Sequence, residues 1–129
     1  MIEYQKIHHV SLNVRNLAAA KKFYMEVLRF QEIERPNFNS NGVWFAIGDS
    51  GQQLHLIEYT HGHSLRDGGI DLNDGHFAIW VKSYKATIEW LEQSGIVFDA
   101  RPNSAAGFAQ IYINDIDCNI IEFDADLDI

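Results

Sequence analysis

Cysteine and positive charge are scarce in this chain of 129 residues. Its single cysteine, Cys118, excludes a disulfide within the chain and suits a reducing compartment, so we expect a cytoplasmic protein. Only 10 Lys and Arg stand against 18 Asp and Glu, which gives a formal net charge of −8. Nucleic acids and anionic membranes are bound through clustered positive charge, so we expect neither of them as a partner.

Long apolar runs and the common catalytic motifs are also missing. No apolar stretch approaches the length that crosses a bilayer, and residues 1–7 lack the apolar segment of a signal peptide. The sequence has no Ser/His/Asp nucleophile motif and no glycine-rich phosphate loop. With 47% hydrophobic residues and no linker of biased composition, the chain is long enough for one globular domain with its own core.

An internal repeat organises the chain. A shift of 67 residues superimposes three pairs of segments, 8–14 on 75–81, 44–46 on 111–113, and 54–56 on 121–123. Self-similarity at one fixed shift indicates duplicated units, and two copies are too few for a solenoid. We therefore expect a single domain over residues 1–129, built from modules at residues 1–60 and 74–126 that the loop 61–73 joins.

Each module begins and ends with strand patterns. Apolar residues alternate with other residues over 10–14 and 77–81, which predicts an opening strand with one buried face. Three shorter strands are predicted to close each module, at residues 30–35, 42–47 and 53–59, then 96–101, 108–114 and 119–124.

A helical pattern follows the opening strand in both modules. Asn16 is a suitable N-cap for a predicted helix at residues 17–29, whose apolar positions form one stripe. Ser83 is the corresponding cap for residues 84–94, and Gly95 is a suitable stop. The order is β-α-β-β-β twice, which predicts an α+β fold.

Four potential metal ligands occur as two matched pairs. His9 and His55 are 46 positions apart (55 − 9 = 46), and so are His76 and Glu122 (122 − 76 = 46). Side chains alternate between the two faces of a strand, so these four are predicted to face away from the apolar residues under the helices. The same alternation places His8 on the helix side. Three imidazoles and a carboxylate are suitable ligands for a divalent transition metal.

Four segments together resemble the vicinal oxygen chelate superfamily, which includes glyoxalase I, extradiol dioxygenases, fosfomycin-resistance enzymes and bleomycin-resistance proteins. They are residues 8–14, 54–58, 75–78 and 115–122. The last of them resembles the Asp-Pro-Asp-Gly-Asn-x-x-Glu signature of the final hairpin in that family. Ile116 and Cys118 replace the usual Pro and Gly. Because Gly is favoured where φ is positive, Cys118 predicts an altered or mildly strained turn.

The resemblance implies two βαβββ modules that form a cup of curved mixed sheet around a divalent metal ion, which is Zn, Ni, Fe, Mn or Co. The implied metal ligands are His9, His76 and Glu122, with His55 as either a fourth ligand or a hydrogen-bond donor that supports one. Single-domain members are often homodimers, so we expect a homodimer that binds a small-molecule substrate. The metal site is then formed within one chain or shared between two, and the sequence leaves both arrangements open.

Further residues are candidates for catalysis and substrate binding. Tyr112 precedes Glu122 by ten positions (122 − 112 = 10), which resembles the active-site tyrosine of extradiol dioxygenases, although an aromatic residue here also serves as packing. Glu122 is a candidate proton shuttle as well as a ligand. The candidates for the walls of the cup and for an anchor of an anionic substrate are Trp44, Trp80, Phe108 and Arg66. His61 and His63 have the spacing of a small metal clip, but they are typical of a solvated loop.

Three functions remain open on these observations. The leading one is a metal-dependent lyase or isomerase that acts on a small substrate chelating through vicinal oxygens. The second is an extradiol-type dioxygenase, and the third is a non-catalytic protein that binds a drug or metabolite. The net charge of −8 suits cationic ligands in the third case.

Overall fold

The computed structural model describes residues 1–59 and 66–127, and these form two compact units, Met1–Leu65 and Arg66–Ile129. The first unit contains β1 (His9–Val14), α1 (Leu17–Lys22) with a π-helical continuation (Phe23–Val27), β2 (Gln31–Ile33), β3 (Gly42–Ala46) and β4 (Gln53–Glu58). The second contains β5 (Phe77–Trp80), α2 (Tyr84–Gln93), β6 (Phe98–Arg101), β7 (Ala109–Asn114) and β8 (Ile120–Ala125). The predicted α+β class and the repeated β-α-β-β-β order are confirmed.

The two units have the same sheet topology. The strand order is β1-β4-β3-β2 in the first and β5-β8-β7-β6 in the second. The opening strand pairs in parallel with the last strand of its own unit, and the remaining pairs are antiparallel. Each unit is therefore a four-stranded mixed sheet in which the first and last strands lie side by side. This pairing brings residues that are far apart in sequence to one place on the sheet.

One face of each sheet is apolar, as the alternation of residue types predicts. In the first unit Phe45, Leu54 and Leu56 are fully buried, and Tyr24 stacks on Phe45 with ring centroids 6.0 Å apart. In the second unit the fully buried residues of β7 and β8 include Ile111, Ile113 and Ile121. Residues between these positions face the other side of the sheet, where polar groups collect.

The predicted helix caps are confirmed. Asn16 Oδ1 accepts a hydrogen bond from the backbone N–H of Ala19 at 2.9 Å, and Ser83 Oγ accepts one from Ala86 at 3.0 Å. Each cap satisfies a donor that has no partner within the first helical turn. Gly95 follows α2 with a φ of 70°, the left-handed conformation typical of a helix stop.

The first helix differs from the predicted continuous α-helix at residues 17–29. Its α-helical part ends at Lys22, and residues 23–27 are π-helical, with the N–H of Leu28 bonded to the carbonyl of Phe23 at 3.2 Å. Arg29 then adopts a φ of 62°, and the N–H of Phe30 reaches the carbonyl of Tyr24 at 3.0 Å. A wider turn and a left-handed residue end the helix here without glycine, and β2 is shortened to three residues.

The repeat is displaced by one residue at the third strand of each unit. The shift of 67 aligns Trp44 with Ile111, but Trp44 lies opposite His55 whereas Tyr112 lies opposite Glu122. Since His55 and Glu122 correspond, Tyr112 is the counterpart of Trp44, and that part of the alignment is wrong. The reason is the hairpin length: six residues separate β3 from β4, and five separate β7 from β8. A slip of one residue changes the face on which a side chain lies.

The turn before β8 contains the strain that its sequence predicts. Cys118 has a φ of 64°, and Asp115 holds the turn by accepting hydrogen bonds at Oδ1 from the N–H groups of Asp117 and Asn119, both at 2.8 Å. Asn119 Nδ2 also donates to Asp115 Oδ2 at 2.9 Å. Three side-chain bonds thus fix a left-handed residue that has a Cβ atom.

No helix within residues 1–59 and 66–127 is long and apolar enough to cross a membrane. The joining loop predicted at 61–73 lies partly outside the described residues. His61 and His63 both lie outside them. That both units form a single domain stays a prediction.

Candidate functional site

The polar face of the first unit carries a stack of three aromatic rings. His55 lies between Trp44, at a centroid distance of 4.0 Å and an interplanar angle of 2°, and His9, at 4.1 Å and 18°. The strand register accounts for this, because Trp44 and His55 are direct partners across β3 and β4, and β1 runs beside β4. The predicted placement of His9 and His55 on one face of the sheet is confirmed.

His55 is held as a neutral imidazole. Burial, followed by the nearby His9, His8 and Arg35, lowers the pKa of His55 from 6.5 to about 4. Nε2–H of His55 donates a hydrogen bond to Oε1 of Gln53 at 2.8 Å, so Nδ1 of His55 carries the lone pair. A neutral ring suits both aromatic stacking and metal ligation.

His8 does not lie where strand alternation places it. β1 begins at His9, so His8 precedes the strand; it is exposed, and its Nδ1 is 2.9 Å from Nδ1 of His9. The prediction that His8 faces the helix side is therefore wrong. Its contact orients the ring of His9 instead.

The polar face of the second unit brings His76 against Glu122. The Nε2 atom of His76 is 2.9 Å from Oε1 of Glu122, and its Nδ1 is 2.8 Å from the backbone carbonyl of Asp74. Oxygen acceptors thus face both ring nitrogens. Donation from Nδ1–H to the Asp74 carbonyl leaves the Nε2 lone pair beside the Glu122 carboxylate, where one metal ion can bind both groups. This arrangement fits a metal ligand pair.

Glu122 is the centre of a hydrogen-bond network. It is 5% exposed, and Gln110 Nε2 donates to its Oε2 at 3.0 Å. Burial by itself raises the pKa of Glu122, but hydrogen bonds from Asp124, Tyr112 and Gln110, with the nearby His76, bring it below its ordinary value. Glu122 is therefore an anionic group in this face, as a metal ligand needs to be.

Tyr112 is a fixed donor to that carboxylate. Burial first, then the hydrogen bond to Glu122 and the charges of Glu122 and Asp124, raise the pKa of Tyr112 to about 12, and Arg101 acts in the opposite direction. The phenol therefore keeps its proton at neutral pH. The ring also contacts the edge of His76, with centroids 5.7 Å apart.

Asp124 is a functional candidate that the sequence reasoning missed. Burial, then a hydrogen bond to Glu122 and its negative charge, raise the pKa of Asp124 to about 7. Its Oδ1 atom is buried and has no hydrogen-bond partner among the residues described. A simple signal was present, because Asp124 is two positions after Glu122 on one strand and must share its face. Gln110, two positions before Tyr112, could have been found in the same way.

The remaining candidates lie around this network. Trp80 is the direct strand partner of Asp124, is 57% exposed, and contacts Phe108 at a centroid distance of 5.5 Å. Arg66 Nε donates to the carbonyl of Cys118 at 3.2 Å, and its Nη2 forms an ion pair with Asp74. Trp80 and Phe108 therefore form an aromatic wall, whereas the contacts of Arg66 tie the last turn to the residue that positions His76.

The metal donors form one pair in each unit. Within the described ranges no three His, Cys, Asp or Glu side chains gather into a group that could hold a metal ion. That His9 and His55 meet His76 and Glu122, in one chain or across two, stays a prediction. The donor types fit, since two imidazoles and a carboxylate are common ligands of Fe, Mn and Zn.

Comparison with known proteins identifies the family. Residues 6–123 match the Glyoxalase/Bleomycin resistance protein/Dioxygenase superfamily, and no curated protein matches the chain. A glyoxalase family protein from Bacillus anthracis has a similar structure, with a TM-score of 0.79, 24% identity, and coverage of 98% of this chain and 99% of that one. The chain belongs to the Glyoxalase/Bleomycin resistance protein/Dioxygenase superfamily.

Other structures with this fold belong to proteins with different named functions. One is a mutant of the fosfomycin resistance protein FosX from Listeria monocytogenes, complexed with Mn(II) and a dihydroxypropylphosphonic acid (TM-score 0.72, 22% identity, 98% of this chain and 94% of that one). Another is TnmS3, an antibiotic binding protein from Streptomyces sp. CB03234 (TM-score 0.76, 20% identity, 98% and 99%). At these identities the similarity establishes the fold and leaves the activity open.

Proposed function

We propose that this protein is a divalent-metal-dependent enzyme of the lyase or isomerase type, acting on a small substrate that chelates through vicinal oxygens. The proposed ligands are His9, His76 and Glu122, with His55 as a fourth ligand or as a support for His9. The observation that carries the proposal is the pairing of His76 Nε2 with Glu122 Oε1 at 2.9 Å. An imidazole nitrogen and a carboxylate oxygen at this distance can bind one metal ion together, and Mn(II) in the FosX complex is a precedent within the superfamily.

Each residue of the network in the second unit has a separate proposed role. A bound metal ion supplies a Lewis acid that polarises a substrate carbonyl. Asp74 fixes the His76 ring through Nδ1, and Gln110 fixes the Glu122 carboxylate through Oε2. Tyr112 keeps its proton and donates to Glu122. Asp124, with a pKa near 7, is the group best matched to exchange a proton at neutral pH through its hydrogen bond to Glu122.

Metal analysis of the purified protein tests this proposal. The protein is prepared without an affinity tag or chelator, and bound metals are measured by mass spectrometry for the wild type, His76→Ala and the control Lys85→Gln. We expect about one metal ion per chain in the wild type and the control, and at least a tenfold loss in His76→Ala. Equal metal content in all three proteins contradicts the proposal.

An extradiol-type dioxygenase is the second candidate function. It is favoured by the phenol of Tyr112, which is held on Glu122 and stays protonated. This function predicts that iron-loaded protein consumes oxygen in the presence of catechols, and that Tyr112→Phe is at least tenfold slower at equal iron content. An iron-loaded protein that takes up no oxygen with any catechol excludes it.

Binding without catalysis is the third candidate function. The exposed indole of Trp80 and its contact with Phe108 favour it, since such rings stack on planar ligands. TnmS3 shows that the fold supports antibiotic binding. Thermal-shift measurements separate the alternatives, because stabilisation by metals alone supports an enzyme and stabilisation by a bulky organic cation without metal supports sequestration.

A further inference from the structure

A cavity in the second unit borders the Glu122 network. It has a volume of about 530 Å³ and lies at the loop that connects β6 to β7, with Arg101, Asn103, Ser104, Gln110 and apolar side chains in its lining. Gln110 belongs both to this cavity and to the network, because its Nε2 donates to Glu122 Oε2 at 3.0 Å. The cavity is therefore separated from Glu122 by a single side chain.

Among the residues described, Arg101 is the one cation in the lining of this cavity. It is the direct strand partner of Gln110, and its neighbour on the same face, Asp99, is the partner of Tyr112. The charge of Arg101 acts on the Tyr112 phenol, which places the guanidinium within electrostatic reach of the network.

The guanidinium of Arg101 has N–H donors without a hydrogen-bond partner among the described residues. Its Nη2 atom donates to Asp99 Oδ2 at 3.2 Å, and this is its one hydrogen bond within the described part of the chain. Both side chains of this ion pair are well exposed, at 49% for Arg101 and 37% for Asp99, so the pair is a weak one. Nε, Nη1 and the second N–H of Nη2 stay available, and Nη2 with either neighbour can bind an oxyanion through two parallel hydrogen bonds.

We propose that the cavity lined by Arg101 and Gln110 binds an oxyanionic tail of the substrate, a carboxylate or a phosphonate, and that Arg101 determines this specificity. The inference rests on the proposed function, since the tail extends from a headgroup that chelates beside Glu122. Gln110 lies between the two parts of the substrate and contacts both the carboxylate and the cavity. Asn103 and Ser104 line the same cavity and add polar groups to its wall.

Binding of three hydroxamates to Mn(II)-loaded protein tests the specificity. Acetohydroxamate carries only the chelating group, succinic monohydroxamate adds a carboxylate, and phosphonoacetohydroxamate adds a phosphonate. We expect calorimetry to show that at least one anionic probe binds about tenfold or more tightly than acetohydroxamate. The better of the two anionic probes identifies the tail.

Two variants that each remove one positive charge from the second unit distinguish direct binding by Arg101 from an effect of net charge. Arg101→Gln is expected to abolish the advantage of the anionic probe and to change acetohydroxamate binding far less. Lys85→Gln is expected to keep the advantage in full. Lys85 lies on α2 and lines a separate groove with Phe98 and Ala100, whose side chains are on the face of β6 opposite to Arg101. An advantage that is absent in the wild type, or that survives Arg101→Gln, overturns the inference.

A measurement without metal distinguishes failure of this inference from failure of the proposed function. The Nε–H resonance of Arg101, assigned by its loss in Arg101→Gln, is followed while succinate or methylphosphonate is added to metal-free protein. A saturable shift supports the anion site even if Mn(II) and acetohydroxamate do not bind, in which case only the proposed function fails. No shift with either anion overturns the anion site even if the metal binds.

Discussion

The two units share one topology but build chemically different polar faces. In the first, His9, His55 and Trp44 form a stack of aromatic rings, of which the central His55 is neutral. In the second, Glu122 and its partners form a charged hydrogen-bond network. The exchange of His55 for Glu122 at equivalent strand positions accounts for much of the difference. A duplicated scaffold thus fixes where side chains lie, while the residue type at each position decides the electrostatics.

If the scaffolds are equivalent, their cores should contribute equally to stability. Leu54 and Ile121 occupy corresponding positions, and both are fully buried. We expect Leu54→Ala and Ile121→Ala to lower the free energy of unfolding by roughly 2–5 kcal/mol each, because each leaves a cavity in a packed core. Urea unfolding measures both, with the exposed Lys85→Gln as a control expected to stay within about 0.5 kcal/mol of the wild type. Costs that differ by more than about twofold would show that the cores are not equivalent.

Acid should act on the first unit through His55. The pKa of this ring falls from 6.5 to about 4 on folding, so the unfolded chain binds more protons between these values. Stability therefore decreases as the pH falls from 6.5 to 4, by roughly 2–3 kcal/mol for this group. Urea unfolding of chelator-treated protein at several pH values should show this dependence reduced in His55→Phe. An unchanged pH dependence would mean that His55 is not held neutral.

Asp124 should give the second unit a pH dependence of opposite sign. Its pKa rises from 3.8 to about 7 on folding, so the native state retains a proton that the unfolded chain releases. The stabilisation is complete below pH 3.8 and is lost as the pH rises through 7. We expect a net effect of roughly 1–2 kcal/mol, because the lowered pKa of Glu122 acts in the opposite direction.

The matched experiment for this carboxyl uses Asp124→Asn, which keeps the shape and cannot ionise. The loss of stability between pH 4 and pH 7 should be smaller in this variant than in the wild type, both measured without metal. A variant with the same or a steeper loss would contradict the raised pKa.

The smallest expected difference concerns the last hairpin of each unit. In the first unit the left-handed positions are Gly48 and Gly51, but in the second Cys118 has a φ of 64°. Cys118→Gly is expected to stabilise the protein by roughly 0.5–1 kcal/mol because it removes the Cβ from a left-handed residue. Cys118→Ala keeps the Cβ and serves as the control, without this gain. Equal stability of the two variants in thermal unfolding would show that the turn is not strained.

Much of this fold could be predicted from local pattern. Alternation and capping residues located nearly every strand and both helix starts, and strand parity placed Glu122 on the polar face. The π-helical segment after Lys22 could not be predicted, because its cause lies in how the helix end meets the sheet and not in residue type. The pairing of Trp44 with His55 was also missed, since hairpin length sets the register and a constant shift conceals it.

The candidate site shows the same division. His76 and Glu122 were found by their spacing, and their contact at 2.9 Å agrees with it. Asp124, Gln110 and Arg101 carry no motif, and their importance follows only from lying beside Glu122 and Tyr112 on neighbouring strands. Likewise, only the folded chain shows that Arg66 binds the carbonyl of Cys118.

Sequence patterns were enough to predict the repeated β-α-β-β-β order, the helix caps, an altered or strained turn at Cys118 and the residues available as metal ligands. These depend on periodicity and on backbone preferences, which act over a few neighbouring residues. The folded chain was needed to show the partners of each side chain, the neutral state of His55 and the proton retained by Asp124. Those properties depend on burial and on charges brought close by strand pairing, which connects positions such as 76 and 122 that are 46 residues apart.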